Sequence, residues 1–555
     1  MSTLIPATLP PPPPRAGERE FVRALEEGLD DEYRIWRDVP IPGSAQQVDY
    51  LLLHPRRGLL CLTLRDWGPE RFQASLPGLE SQARPPLEEA LARAQALVAV
   101  LESDPHLIFS SGRMAGRLRF SWSWGVLLSQ IRREQLPSGG PDGDLEARRV
   151  ICQDELGREG AMALADRLGT LFPTPPFGQI SPTQLDRIRL RLFPGLALSG
   201  EASAPIRVLD VDQERAFRHP EGHQVILGEA GTGKTTLLLH AAARLAGRSP
   251  GELPARAPAK PVLFLCLNRA LARHLDHQLH RLGVADRVHI GTFPAWCHRL
   301  ITQHHLGLPG GEGADPGYAD ALAERVARGL EKQRIAPAQY AALLIDEGHG
   351  FPGAWLALAL GFLDPLSDVL ALAADTGQLP GGEQAALATF QGAGIRCRNR
   401  VFRLTENHRS HPDILDFALG RAPRPPGPAV ELARHASLKE EAAWLAGRLL
   451  EAHQAGMPWR HMGALYGDWE REGKLINGVF RQAGIPMTWQ DGIRFNDRQD
   501  TVKLLSMNGA QGLEFPLLAL AGFPANPVGT PESGLWRMAM LRARDRLLLS
   551  GTIVP

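Results

Sequence analysis

The sequence predicts an α/β protein whose parallel sheets are flanked by helices. Beyond residue 205, short apolar strands alternate with segments of helical spacing, as they do in a parallel sheet with crossover helices. Several of these strands end in polar or charged residues, and ligands bind at the carboxyl ends of parallel strands. One strand, residues 225–227, leads into a glycine-rich turn and then a helix. A chain of 555 residues is also too long for one core and suggests about three or four domains.

The first part of the chain predicts a separate α/β domain, which we place at residues 15–195. It follows a proline-rich stretch, residues 1–14, for which we expect no fixed structure. A helix is expected over residues 16–29, because apolar residues recur there on one face. Strands are expected at 33–39, 47–53, 58–64 and 120–130, and further helices at 85–103, 159–171 and 184–192. Residues 194–205 are expected to link this domain to the next.

The glycine-rich turn has the pattern of a phosphate-binding loop in its required context, with a strand before it and a helix after it. Glycines let backbone N–H groups point inward around a phosphate with no Cβ in the way. Lys234 is expected to reach the β- and γ-phosphates, and the Thr235 hydroxyl to ligate Mg²⁺. The sequence therefore predicts a nucleoside triphosphate site formed by Gly228, Gly231, Thr232, Gly233, Lys234, Thr235 and Thr236.

Two further apolar strands end in carboxylates. The first is followed by Asp346, which is expected to hold Mg²⁺, and by Glu347, which is expected to activate the attacking water. The second ends at Asp375, and Gln378 three positions later could sense the γ-phosphate. Together with the phosphate loop, these residues predict hydrolysis of the bound nucleotide.

Other polar residues lie at positions that suit a nucleotide or nucleic acid. Gln213 precedes the phosphate loop at a distance that would place its amide beside a purine, and an amide matches both the donor and the acceptor of an adenine edge. Two more strands end in the pairs Asn268-Arg269 and Thr292-Phe293. We expect these pairs at the ligand-binding edge of the same sheet.

The motifs follow the order found in UvrD/Rep-like superfamily 1 helicases, and the chain resembles that family over residues 205–555. The resemblance implies two RecA-like domains, at residues 205–400 and 401–555, with ATP and Mg²⁺ between them. It also implies movement along single-stranded DNA from 3′ to 5′. The motifs that carry it are Gln213, 228–235, Asn268-Arg269, Thr292-Phe293, Asp346-Glu347, Asp375 with Gln378, 407–410, 512–515 and 542–544.

The resemblance also assigns roles to residues outside the phosphate loop. Arg409 and Arg542 would reach the γ-phosphate from the second domain, so that hydrolysis depends on closure of the cleft. His408 stands where an aromatic residue would stack on adenine, and Glu514 would face the ribose. Phosphate contacts and base stacking would hold the DNA. The residues implied in that track are Asn268, Arg269, Thr292 and Phe293.

The first domain resembles the nuclease-related domain, which has a restriction-endonuclease-like fold. That family would be expected to carry an acidic residue in the leading helix, matched by Glu18, and an Asp on a strand, matched by Asp49. The next strand would be expected to carry Glu-x-Lys, but this chain has Thr63 and Arg65. A hydroxyl cannot replace a carboxylate that offsets a divalent charge, and Arg does not deprotonate in proteins. We therefore predict that this domain does not cut DNA.

The helicase-like part also departs from its family at positions expected to connect the ATP and DNA sites. His349 and Gly350 replace a Gln-Asp pair, Asn508 and Gln511 replace a His and a Lys, and Leu541 replaces a Thr. From these departures we expect weaker coupling between ATP hydrolysis and DNA.

The composition excludes some classes of protein but does not identify the function. The formal net charge is zero, so no whole-molecule field indicates nucleic acid, although a local groove could still bind it. The five cysteines form no CxxC pair, no apolar run approaches the ~20 residues of a membrane span, and no secretory signal is expected, so a cytoplasmic location is predicted. Three functions stay open: an ATP-dependent DNA helicase or translocase, a DNA-stimulated ATPase clamp that does not unwind, and a scaffold that recruits a separate nuclease or motor.

Overall fold

In the computed structural model the chain divides into two compact units. Unit 1 comprises residues 1–219 and 250–252, and unit 2 comprises residues 220–249 and 253–555. Each unit contains sheets flanked by helices, and the predicted α/β class is confirmed. The structure describes residues 3–6, 18–30, 32–44, 46–73, 86–136, 148–156, 160–173, 178–193, 197–198, 207–218, 222–247, 260–310, 317–379, 381–398, 400–421, 427–489, 499–524 and 533–552.

Unit 1 is built on a mixed six-stranded sheet with the order β1-β2-β3-β4-β5-β6. β2, β3 and β4 are antiparallel neighbours, whereas β1 pairs with β2, and β5 with β4 and β6, in parallel. The strands are β1 (Thr3–Pro6), β2 (Arg34–Pro40), β3 (Gln47–His54), β4 (Gly58–Arg65), β5 (Trp122–Leu128) and β6 (Val150–Cys152), and a separate pair is formed by β7 (Ala197–Leu198) and β8 (Arg207–Val208). The helices are α1 (Glu18–Gly28), α2 (Pro69–Gln73), α3 (Pro86–Glu102), α4 (Gly160–Leu171), α5 (Pro182–Leu192) and α6 (Val211–Phe217).

The two faces of this sheet are covered by different helices. Phe21 and Leu25 of α1 pack with Leu164 of α4 in one apolar cluster, which includes Leu127 of β5. Ala90 of α3 packs in another cluster with Val126 and Leu128, the neighbours of Leu127 on β5. Because side chains alternate along a strand, the two clusters lie on opposite faces of the sheet.

The predicted absence of structure in residues 1–14 is wrong for Thr3–Pro6. These residues form β1, which pairs in parallel with Arg34–Arg37 of β2. The physical reason is that without β1, β2 would be the edge strand of the sheet, with unpaired N–H and C=O groups that an extended segment can satisfy. The prolines of this stretch lie outside the described residues, apart from Pro6.

The end of unit 1 is anchored by a buried carboxylate. Glu214 of α6 is fully buried and accepts hydrogen bonds from Trp36 Nε1 at 3.0 Å, Arg189 Nη2 at 2.6 Å and Arg218 Nε at 2.7 Å. α6 therefore packs with the six-stranded sheet of unit 1. The second unit begins at residue 220 rather than at the expected 205. The sequence shows a helix at this point but cannot show which core its buried side chain enters.

Unit 2 begins with a six-stranded sheet in which every pair is parallel, in the order β11-β10-β12-β13-β9-β14. β13 lies between β9, which leads into the phosphate loop, and β12, which leads into the Asp346-Glu347 pair. The strands are β9 (His223–Gly228), β10 (Val262–Cys266), β11 (Val288–Thr292), β12 (Ala342–Ile345), β13 (Val369–Asp375) and β14 (Val401–Leu404). The helices are α7 (Lys234–Leu245), α8 (Arg269–Leu282), α9 (Phe293–Gln303), α10 (Tyr318–Glu331), α11 (Gly353–Leu360) and α12 (Gly382–Gly392).

The expected boundary between residues 400 and 401 lies too early in the chain. β14 pairs in parallel with β9, with Val401 opposite Val225, so this strand completes the sheet that carries the phosphate loop. The chain passes to the next sheet after Leu404. Its apolar residues alone do not reveal which of two parallel sheets the strand joins.

The second sheet of unit 2 is also entirely parallel, with the order β15-β20-β19-β16-β18-β17. The strands are β15 (Val430–His435), β16 (Met462–Tyr466), β17 (Met487–Trp489), β18 (Val502–Ser506), β19 (Phe515–Leu520) and β20 (Ala543–Thr552). The helices are α13 (Pro412–Ala418), α14 (Leu438–Gln454), α15 (Lys474–Gln482) and α16 (Ser533–Met540). Two apolar clusters, one on each side, are formed in part by alternate residues of β16 and β18.

The cysteines and the helices add two further observations. All five cysteines are buried and free. Among the helices of the described residues, none is both long enough and apolar enough to span a bilayer.

Candidate nucleotide site and the residues around it

The phosphate loop connects β9 to α7 and needs its glycines for two reasons. Gly231 and Gly233 adopt left-handed backbone conformations, with φ of 89° and 82°, which residues with a Cβ rarely adopt. At Gly228, a Cβ would lie 2.5 Å from Thr232 Oγ1 and 2.9 Å from the Leu404 carbonyl oxygen. The backbone of the loop is therefore held close to β14.

Lys234 is the first residue of α7, and its side chain turns back over the loop. Its Nζ donates to the carbonyl oxygens of Gly228 and Glu229, both at 2.8 Å. Burial lowers the pKa of the Lys234 ammonium, and the carboxylates of Asp375, Glu347 and Asp346 oppose that effect. The lysine thus lies among three acidic groups.

Asp346 directly follows β12 and has one carboxylate oxygen without a partner. Its Oδ1 accepts from the Glu347 N–H at 3.0 Å, and Thr235 also donates to this carboxylate. Among the described residues, Oδ2 is buried and accepts no hydrogen bond. Burial, and then the neighbouring Glu347, raise the pKa of Asp346. Carboxylate and hydroxyl oxygens are ligands that Mg²⁺ accepts, so Asp346 and Thr235 fit this ion.

Glu347 follows at a strained position, with φ of 55°. Its Oε2 is buried and has no hydrogen-bond partner in the part of the chain that the structure describes. The Nδ1 of His349 lies 3.5 Å from this oxygen. The same Nδ1 accepts a hydrogen bond from the backbone N–H of Asp375 at 3.3 Å, so it has no proton to donate to Glu347. His349, which replaces an expected Gln, therefore contacts the end of β13 and leaves Oε2 of Glu347 without a donor from the described residues.

Asp375 and Gln378 form a local hydrogen-bonded unit at the end of β13. Asp375 Oδ1 accepts from the Gly377 N–H at 2.9 Å, and Oδ2 accepts from Gln378 Nε2 at 3.0 Å. On its other side, Gln378 Oε1 accepts from Gln511 Nε2 at 3.3 Å. The predicted γ-phosphate sensor is thus held between the two sheets of unit 2.

Two arginines approach the same acidic groups from the side of the second sheet. Arg409 Nη2 pairs with Glu514 Oε1 at 2.5 Å, while its buried Nε and Nη1 have no hydrogen-bond partner among the described residues. Arg542 is buried, and its charge interacts with those of Arg409, Glu347 and Asp375. The donor capacity of Arg409 is thus partly unused beside Lys234.

The segment that follows β14 donates hydrogen bonds to backbone carbonyl groups of the phosphate loop. Asn407 Nδ2 donates to the Ala230 carbonyl oxygen at 2.9 Å, and the His408 N–H donates to the Gly231 carbonyl oxygen at 2.9 Å. The His408 side chain itself is exposed. The sequence did not suggest this role for Asn407, because the residue type alone does not show which backbone group its side chain contacts.

Gln213 and Thr236, two residues predicted to bind the nucleotide, both lie in helices. Gln213 belongs to α6 in unit 1, where its N–H donates to Asp210 Oδ1 at 2.8 Å and its Oε1 accepts from the Asp210 N–H at 3.1 Å. Its contact with a purine stays a prediction. Thr236 is exposed on the first turn of α7.

The four residues expected to line a DNA track are placed differently from one another. Arg269, the first residue of α8, is exposed. Thr292 is buried and caps α9 through Oγ1, which accepts from the Ala295 N–H at 3.4 Å. Asn268 caps α8 and also contacts Gln511 across the cleft.

The expected base stacking by Phe293 is wrong. Phe293 is 1% exposed, and its ring stacks on Trp355 of α11 with ring centroids 4.4 Å apart and an interplanar angle of 7°. Phe293 is therefore part of the core beside the first sheet of unit 2. A Phe after a strand has the same appearance in the sequence whether it faces solvent or the next helix.

Arginines occupy the position in unit 1 where a nuclease would hold its metal. Asp49 Oδ2 accepts from the Leu64 N–H at 2.8 Å and lies 3.8 Å from Arg65 Nη1 and 3.6 Å from Arg93 Nη1. Both arginines also pair with Glu89 of α3. The sequence did not single out Glu89 and Arg93, although their i,i+4 spacing on a helix was the available signal.

The remaining residues of that site are also committed to internal contacts. Glu18 pairs with Arg37 Nε at 2.9 Å and accepts a hydrogen bond from the Tyr50 hydroxyl. Thr63 is buried within β4. The arrangement fits a cluster of ion pairs and does not fit a divalent metal, because guanidinium groups already balance the charge of Asp49.

Two family models match parts of the chain. Residues 209–310 match the UvrD/REP helicase N-terminal domain, and residues 13–111 match the nuclease-related domain, which confirms the two predicted resemblances. The C-terminal domain of a possible DNA helicase from Lactobacillus plantarum is 16% identical, with 26% of this chain and 88% of that chain covered and a TM-score of 0.22. S. cerevisiae Dbp5, solved with Gle1 and IP6, is 12% identical, with 63% and 83% covered and a TM-score of 0.37. No curated protein matches the chain.

Proposed function

We propose that this chain, which joins a nuclease-related domain to a UvrD/REP-type helicase domain, is an ATP-dependent helicase or translocase of superfamily 1 that acts on single-stranded DNA. By the same resemblance it would move from 3′ to 5′. The observation that carries the proposal is the placement of the Lys234 and Arg542 charges beside the carboxylates of Glu347 and Asp375, with the Arg409 guanidinium close to both cations. Cations gathered around acidic groups at the carboxyl ends of parallel strands suit a bound triphosphate.

The residues divide the work of hydrolysis between the two sheets of unit 2. Mg²⁺, held by Asp346 and Thr235, would neutralise developing charge on the phosphates. The unpartnered Oε2 of Glu347 is free to accept a proton from the attacking water. Arg409 would give its unused Nε and Nη1 donors to the γ-phosphate. Because that donor comes from beyond β14, the rate would depend on how the two sheets approach each other.

DNA binding is proposed on the family resemblance and on one exposed residue. Arg269 begins α8 at the carboxyl end of β10, where its guanidinium can reach a phosphate. With Phe293 in the core, base stacking at this place has to come from other residues. Binding through phosphates would weaken steeply as salt concentration rises.

The proposal is tested by the rate of ATP hydrolysis with and without single-stranded DNA. We expect the full-length protein to hydrolyse ATP in the presence of Mg²⁺ and to do so faster when an oligothymidylate is added. Equal rates with and without DNA, at DNA concentrations where binding is measured directly, would favour the scaffold. A strand-displacement assay then separates a helicase from a clamp that hydrolyses ATP without unwinding.

A further inference from the structure

We propose that Gln511 is a positioning residue that transmits DNA binding at α8 to the nucleotide site, an inference that rests on the proposed function. Gln511 follows the short turn Asn508–Ala510, after β18 of the second sheet. It contacts the first sheet through two different groups, its side-chain amide and its backbone carbonyl. Although Gln511 replaces an expected Lys, it keeps polar contacts with the first sheet of unit 2.

The side-chain contact leads toward the nucleotide. Gln511 Nε2 donates to Gln378 Oε1 at 3.3 Å, and Gln378 Nε2 donates to Asp375 Oδ2 at 3.0 Å. Asp375 in turn interacts electrostatically with Lys234, and its backbone N–H donates to His349 Nδ1 at 3.3 Å. A change in the position of Gln511 thus reaches the groups proposed to surround the γ-phosphate.

The backbone contact leads toward the proposed DNA track. The Gln511 carbonyl oxygen accepts from Asn268 Nδ2 at 2.9 Å. The Oδ1 of the same Asn268 accepts from the Leu271 N–H at 2.8 Å and so caps α8, whose first residue is the exposed Arg269. One amide side chain therefore joins the helix end to the Gln511 backbone.

Gly512, the next residue, also packs closely against α8. Gly512 has φ of 78°, and a Cβ at this position would lie 2.6 Å from Leu271 Cδ2. The backbone of residues 511–512 thus packs directly on the first turn of α8. A movement of α8 on binding DNA would shift Gln511, because hydrogen bonds on one side and close packing on the other leave it little freedom.

The experiment compares ATP hydrolysis by full-length variants with and without saturating oligothymidylate. Gln511→Leu removes the side-chain donor but keeps the backbone carbonyl. A neutral hydrogen bond is worth about 1 kcal/mol, so we expect the stimulation by DNA to fall about fivefold while the DNA-free rate stays unchanged. Gln511→Lys, which can still donate to Gln378, should keep most of the stimulation. Gln482→Leu, the same substitution at an exposed residue of α15, is the matched control.

A second change cuts the connection at its other end. Asn268→Asp keeps an oxygen to cap α8 but replaces the Nδ2 donor with an oxygen that faces the Gln511 carbonyl. If both changes act on one connection, the double variant should lose no more stimulation than the single variant that has the larger loss.

Three results would decide against the inference. Full stimulation of Gln511→Leu, an equal fall in its DNA-free rate, or additive losses in the double variant would each overturn it while leaving the proposed function intact. A wild-type protein that binds DNA and shows no stimulation would overturn both.

Discussion

At the scale of single residues, Glu347 and Lys234 are proposed to contribute differently to ATP binding and hydrolysis. Single substitutions can separate the two contributions. Lys234→Ala removes a ground-state phosphate contact, so we expect loss of both ATP binding and turnover. Glu347→Gln keeps the shape but removes the base, so turnover should fall by at least about a hundredfold with ATP affinity nearly unchanged. Nucleotide binding by titration and phosphate release by a coupled assay measure the two quantities. An unchanged rate in Glu347→Gln would show that another group is the base.

Glu214 yields a prediction about stability and pH. Burial alone would raise the pKa of Glu214, but the charges and hydrogen bonds of Arg189 and Arg218 outweigh burial and hold it below its ordinary value. Because the folded-state pKa is lowered, the stabilisation is present above the unfolded-state pKa of about 4.3 and is lost as the pH falls below it. At pH 7, Glu214→Gln should lower the free energy of unfolding by about 3 kcal/mol, since it leaves buried guanidinium charge unbalanced.

The comparison with a surface ion pair checks that prediction. Glu27 pairs with Arg23 on the exposed face of α1, so Glu27→Gln should change the unfolding free energy little at any pH. Denaturant unfolding of wild type and both variants should show a gap for Glu214→Gln that closes below about pH 4. A gap that widens as the solution becomes more acidic would contradict the assigned pKa direction.

At the scale of elements, the regular structure was largely predictable, whereas the burial of single side chains was not. The strands at 33–39, 47–53 and 58–64 were expected because apolar runs alternate with turn residues, and the structure has them within one residue at each end. Phe293 was misassigned because its burial depends on Trp355, which lies far along the chain. The membership of β14 in the first sheet likewise depends on a pairing with β9 that no local pattern encodes.

The sheet of unit 1 predicts the absence of nuclease activity. With Arg65 and Arg93 beside Asp49, the ion pairs themselves oppose a divalent cation. Full-length protein incubated with Mg²⁺ or Mn²⁺ but no ATP should leave linear and circular DNA intact. An Asp49→Ala variant is the control, and cleavage by wild type that disappears in this variant would show that the site still works.

At the scale of the whole molecule, the position of α6 predicts where the chain can be divided. A fragment of residues 1–219 keeps Glu214 with its partners, whereas in a fragment of residues 1–204 Trp36 Nε1 and Arg189 lose this hydrogen-bond acceptor. The loss of a buried ion pair should lower the melting temperature of the shorter fragment by roughly 5–10 °C. Circular dichroism melts of the two fragments measure the difference. Equal melting temperatures would show that α6 does not stabilise this unit.

The order of strands in the first sheet of unit 2 bears on how the protein is made. β9 carries the phosphate loop, yet its neighbours in the sheet are β13 and β14, which lie far downstream in the chain. In unit 1, by contrast, β2, β3 and β4 pair with strands next to them in sequence. During synthesis, the part of the unit 1 sheet formed by β2, β3 and β4 can therefore form early. The apolar strand that leads into the phosphate loop must wait, without either neighbour, until the ribosome has passed residue 369.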